Sequence, residues 1–176
     1  MRTDIVFTLT GPDRVGIVEE VTGVLLDLGG NVGAGRMARL GGEFAMLMLV
    51  SLPSERLVDI DRALSQLTDN GYKSTVSDAR PAPATPPAEN TPFRIEVRGA
   101  DHEGIIHEIT RQLAARGINI ESAETGTVEA PVTGVPLFFM TATVHVPPGL
   151  DETEWAGALE EAARHAGVDV RVARED

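Results

Sequence analysis

One stretch of this chain occurs twice, and that duplication restricts the fold more than any other feature. The first copy runs Gly11-Pro12-Asp13-Arg14-Val15-Gly16-Ile17-Val18 and continues to Gly29-Gly30-Asn31-Val32. The second runs Gly99-Ala100-Asp101-His102-Glu103-Gly104-Ile105-Ile106 and continues to Gly117-Ile118-Asn119-Ile120. A slide of 88 positions lays Gly11 on Gly99, Asp13 on Asp101, Gly16 on Gly104, Glu20 on Glu108, Leu25 on Leu113 and Asn31 on Asn119. Matches held at constant spacing mean a duplicated structural unit. Domains are therefore predicted at 1–78 and 93–176, each small enough to bury only a modest core. The stretch between them, 79–92, holds five prolines and reads as an extended linker in polyproline II.

Apolar spacing assigns the elements of each copy. Ile5, Phe7 and Leu9 alternate with outward residues, which predicts a strand with one buried face. Val18, Val21, Leu25 and Leu28 recur at helical spacing, which predicts a helix over about 14–28 with Asp13 as its N-cap. Gly29-Gly30 stops it. Residues 31–39 read as a weaker strand, Gly41-Gly42 as a tight turn, and 43–52 as a strand rich in Met and Leu. Pro53-Ser54 opens a second helix with Leu57, Ile60, Leu64 and Leu67 on one face, and 72–78 forms a last strand. The second copy repeats the series with Phe93, Ile95 and Val97, a helix marked by Ile105, Ile109 and Leu113, and strands over 119–127 and 136–146. Its last helix carries Trp155, Leu159 and Ala162 inward and is opened by Asp151 with Glu154. Both copies thus read β-α-β-β-α-β, an α+β ferredoxin-like arrangement with an antiparallel sheet and both helices on one face. Met37, Met46, Met48 and Met140 are expected in the core, and Glu152, Glu154, Glu160 and Glu161 on a solvated helix face.

Charge and composition narrow the function. The formal net charge is −12, Lys73 is the sole lysine and the arginines are scattered, which argues against direct nucleic-acid binding. With no cysteine, disulfides and thiolate metal sites are excluded. No apolar run approaches the roughly 18 residues of a membrane helix, and no signal peptide is recognisable, so a cytoplasmic protein is expected.

The repeated turn has a structural explanation and a functional one. Asp caps a helix, and Gly lets the turn pack tightly. Alternatively, free amides at a helix start attract a carboxylate, and Gly16 or Gly104 leaves room for a small ligand. Asn31 and Asn119 are either turn residues after Gly or donor–acceptor groups suited to an amino acid.

The β-α-β-β-α-β order, the Gly-x-Asp-x-x-Gly-Ile loop and the Gly-x-Asn-Ile/Val element resemble ACT domains. Two in tandem are similar to the glycine cleavage system transcriptional repressor family. The resemblance implies a non-catalytic regulatory protein that binds a small amino acid, glycine or serine first, where ACT units meet. It implies ligand contacts at Asp13, Arg14, Val15, Gly16, Ile17 and Asn31, and at Asp101, His102, Glu103, Gly104, Ile105 and Asn119. It further implies a transcription factor or enzyme as protein partner, and a homodimer is expected from the edge strands. The alternatives are a ligand-free assembly module and a detached regulatory subunit of an amino-acid or one-carbon enzyme.

No cofactor, metal site or catalytic set is expected. Gly33-Ala34-Gly35-Arg36-Met37-Ala38 fits a dinucleotide pattern but follows a helix instead of a first strand. His102 and His107 are five apart, so a helix would set them on different faces.

Overall fold

The computed structural model describes residues 1–80, 90–130 and 134–175. The greater part of the proline-rich stretch expected as a linker, 81–89, lies outside the described residues, as does Pro131 of the loop between the middle strands of the second copy. The chain divides into two compact units, Met1–Ala82 and Pro83–Asp176.

In the first unit β1 spans Arg2–Pro12, α1 Ile17–Asp27, β2 Asn31–Leu40 and β3 Glu43–Pro53. A 3-10 helix over Ser54–Asp59 leads into α2 (Ile60–Ala63) and α3 (Ser65–Asp69), and β4 (Lys73–Asp78) closes the unit. The sheet order is β2-β3-β1-β4 with every neighbouring pair antiparallel. In the second unit β5 spans Thr91–Ala100, α4 Ile105–Ala114, β6 Asn119–Glu129, β7 Pro136–Val146, α5 Glu152–His165 and β8 Val168–Arg174. Its sheet, β6-β7-β5-β8, is again antiparallel throughout. The ferredoxin-like reading of both copies therefore holds.

The period-2 pattern of each strand reappears as burial, because alternate side chains leave the sheet on opposite faces. Ile5, Phe7 and Leu9 on β1 meet Met46, Met48 and Val50 on β3 under Val21 and Leu25 of α1. In the second unit Ile95, Val97, Met140 and Val144 lie under Ile109, Leu113 and Trp155, and Trp155 meets Phe93 edge-on at 5.2 Å between ring centroids. The edge strands behave differently. All ten residues of β2 are exposed, and Met37 is 44% exposed, so the expectation that it fills the core is corrected. The cause is position: β2 has a neighbour on one side only, and α1 scarcely reaches over it.

Two further expectations are corrected. The first helix begins at Ile17 rather than near residue 14, and Asp13 does not cap it. Gly16 occupies the N-cap position at φ +89°, a left-handed conformation, and no side chain caps the helix. Gly104 does the same at φ +94° before α4. The helix predicted after Pro53 is not one helix but three short pieces. The first piece is 3-10, and the apolar residues of the stretch keep the same three-four-three spacing as Val18, Val21, Leu25 and Leu28 along the continuous α1 and its C-cap, so apolar spacing does not account for the break. By contrast α5 is continuous, and Asp151 caps it by accepting the Glu154 N–H at 3.0 Å.

Candidate functional site

Each unit presents the same corner where its first strand turns into its first helix. In the first unit the Asp13 N–H donates to the Gly42 carbonyl at 2.9 Å, clipping the loop to the β2–β3 hairpin. In the second unit the Asp101 N–H donates to the Pro136 carbonyl at 3.0 Å. Beyond these clips the left-handed glycine swings the chain into the helix, and the first helical bonds run from Glu20 to Gly16 and from Glu108 to Gly104. The amides of the first turn before Glu20 and Glu108 then have no acceptor within the helix and no side-chain cap. A Cβ built on Gly16 or Gly104 meets nothing within 4 Å. These glycines answer to backbone conformation, and the space above them is open.

An open depression of about 640 Å³ lies over the first loop, bounded by Asp13, Arg14, Gly16, Ile17, Thr22 and Phe44. Its counterpart, about 530 Å³, is bounded by Asp101, His102, Gly104, Ile105, His107 and Phe138. Val15 is fully exposed and Glu103 is exposed at the loop tips. Arg14 and His102, which border these depressions, are also engaged by groups outside the loop. The Arg14 guanidinium donates to the Glu20 carboxylate, which keeps it firmly charged, and lies 5.6 Å from the Tyr72 ring centroid. Tyr72 in turn donates its hydroxyl to the Pro12 carbonyl at 2.7 Å. The His102 ring lies 2.9 Å by Nδ1 from the Glu103 carbonyl and 2.5 Å by Nε2 from the Ala166 carbonyl.

The two halves of the expected ligand set are not brought together within a unit. Asn31 pairs with Ser51, which pairs with Asp4, at one end of the sheet. The loop follows Pro12, which pairs with Glu43 at the other end. Eight residue steps along β1, from Asp4 to Pro12, separate the two, about 27 Å at ~3.4 Å per step. Asn119, opposite His145 and Pro92, stands equally far from the loop after Ala100. Asn119 borders its own depression of about 550 Å³ with His107, Thr110 and Ile118.

Residues that the sequence did not single out also shape the corner. Arg39 reaches from β2 to within 3.7 Å of the Asp13 carboxylate. The Gly41-Gly42 hairpin sets its register, since Arg39 stands opposite Phe44 and Phe44 opposite Gly11. In the second unit Thr127 stands opposite Phe138, so that corner lacks this cation. The residues with a dinucleotide-like spacing, 33–38, lie in β2 itself and form no turn before a helix. Among the described residues no cluster of His, Asp and Glu has the geometry to hold a metal ion, and no helix is long and apolar enough to cross a membrane.

Comparison with known proteins matches the ACT domain to residues 3–73 and again to residues 93–154. The glycine cleavage system transcriptional repressor of Escherichia coli K12 is 28% identical over 150 residues, covering 84% of this chain and 77% of that protein. The repressor of the same name from Shigella flexneri matches with the same figures. Among solved structures, a protein of unknown function from Galdieria sulphuraria is 32% identical, covers the whole of both chains and has a TM-score of 0.83.

Proposed function

The chain belongs to the ACT domain family, and from that premise we propose that it is a non-catalytic regulator whose strand-to-helix corners bind a small amino acid. The observation that carries this reading is the pair of uncapped helix starts beneath open depressions. Unpaired amides and the positive end of a helix suit a carboxylate. Glycine and serine are the first candidates, because the relatives that match are named for the glycine cleavage system. Arg39 favours an anionic group at the first corner, and Thr127 makes the second corner less cationic. Asn31 and Asn119 stand about 27 Å from the loops of their own units, so on this reading a second copy of the chain brings its Asn to the ligand. Ligand then stabilises one assembly over another and so switches a partner regulator or enzyme, with a coupling of about 1–3 kcal/mol. The acidic chain would act through that partner rather than on nucleic acid directly.

Calorimetry of the full chain with a panel of amino acids tests this. The expected result is saturable heat with glycine or serine, reduced at least ten-fold in affinity by Asn31→Ala together with Asn119→Ala. Both Asn side chains are exposed, so the fold tolerates their loss. Dimerisation with no heat from any amino acid would instead favour a ligand-free assembly module. The fully exposed edge strand β2 supports that second reading, since unpaired strand edges recruit other strands.

A further inference from the structure

The second residue of the repeated loop, Arg14 in one unit and His102 in the other, is related by the 88-residue slide. In both units its side chain ties the loop to the turn that feeds the last strand. Arg14 lies over Tyr72, the residue before β4. His102 meets the carbonyl of Ala166, at the C-terminal end of α5 and two residues before β8. A guanidinium stays charged at any pH at which proteins fold. An imidazole does not.

The chemistry of the His102 contacts is one-sided. Both ring nitrogens face carbonyl oxygens, those of Glu103 and Ala166, and a carbonyl oxygen can only accept. Two N–H groups are needed to satisfy both, and only the protonated ring has two. A cation at the end of α5 also meets the negative pole of that helix. The charged and titratable groups on the surrounding elements are Asp101 and Glu103 on the loop, His107 on α4, and Arg164 and His165 in the last turn of α5.

We propose that His102 is a proton-dependent strap that holds the β5–α4 loop of the second unit against the end of α5 and releases one of its two holds when the ring loses a proton. The first unit has the same strap in a form that protons do not release. The two corners of one chain then answer differently to pH, whether or not either binds a ligand. The carbonyls of Glu103 and Ala166, followed by the charge of Asp101, raise the His102 pKa. A histidine raised in the fold contributes its stabilisation fully below its unfolded value of about 6.5 and loses it as pH rises through the folded value.

Two measurements on the full chain test the strap. Nuclear magnetic resonance follows the His102 ring through a pH titration, with the other three histidines in the same spectra. Amide hydrogen exchange, corrected for intrinsic rates, compares residues 101–107 with residues 13–19 at about pH 5.5 and about pH 8.5, either side of the ordinary histidine value. The expected result is a His102 titration above about 6.5 and a loss of protection in 101–107 on the order of five-fold at the higher pH, relative to 13–19. His102→Arg should hold that ratio constant, and His102→Gln should show the released level at both pH values. A His102 titration at or below about 6.5, or a wild-type ratio unchanged between the two pH values, overturns the proposal. Should His102→Arg fail to fold, the wild-type titration and exchange still decide.

Discussion

Asp13 and Asp101 have the residue type and place of helix caps, yet three residues further on a left-handed glycine takes that position. The outcome bears directly on stability. Asp13 keeps one exposed ion pair, 3.7 Å from Arg39, and such pairs contribute about 0–1 kcal/mol. Asp13→Ala should therefore move the denaturation midpoint little, and less still at high salt. Asp151→Ala removes a true cap and should cost about 1 kcal/mol by the same measurement. Gly16→Ala meets no atom but must adopt φ +89°, and should cost about 1–2 kcal/mol. Gly16→Asn, which tolerates that conformation, should cost less. Equal losses for Ala and Asn would mean that something other than backbone conformation selects glycine there.

At the scale of elements, the two units build their second helical layer differently. The stretch Ser54–Asp69 is broken into a 3-10 turn and two short helices, whereas α5 runs for 14 residues from a capped start. Short segments propagate little helical cooperativity. Amide exchange should accordingly show 54–69 opening before 152–165 in the same sample, and the reverse order would contradict this account. The strands were legible because burial alternates with a period of two, and Phe7, Met48, Ile95 and Val97 are all buried as the sequence reading predicts. Met37 was misread for a reason that local pattern does not contain. Its side chain type suits a core, but β2 lies at the sheet edge, where α1 scarcely covers it. The break in the second helix was not visible, because Leu57, Ile60, Leu64 and Leu67 are spaced just as Val18, Val21, Leu25 and Leu28 are along the unbroken first helix.

At the scale of the whole molecule, each unit closes a core of its own. The sole tryptophan, Trp155, is buried in the second core, and the sole tyrosine, Tyr72, in the first. The chain thus carries a separate optical reporter in each half. Leu25→Ala should cost the first unit about 2–5 kcal/mol, read from the Tyr72 environment. The midpoint reported by Trp155 fluorescence should stay in place. A matching shift in the Trp155 transition would mean that the two units unfold as one.

The sequence by itself determined the duplication, the order of elements and most of the buried face, because turn glycines and apolar periods act over a few residues. Tertiary structure alone decided where the loop side chains end. Arg14 on Glu20 and Tyr72, His102 on Ala166, and Arg39 beside Asp13 are all meetings between residues far apart in the chain or on different elements. It also decided that Asn31 lies at the far end of the sheet from the loop. Strand register carries the chain away for the length of β2 and back along β3, and that distance is set by pairing rather than by any residue's own preference.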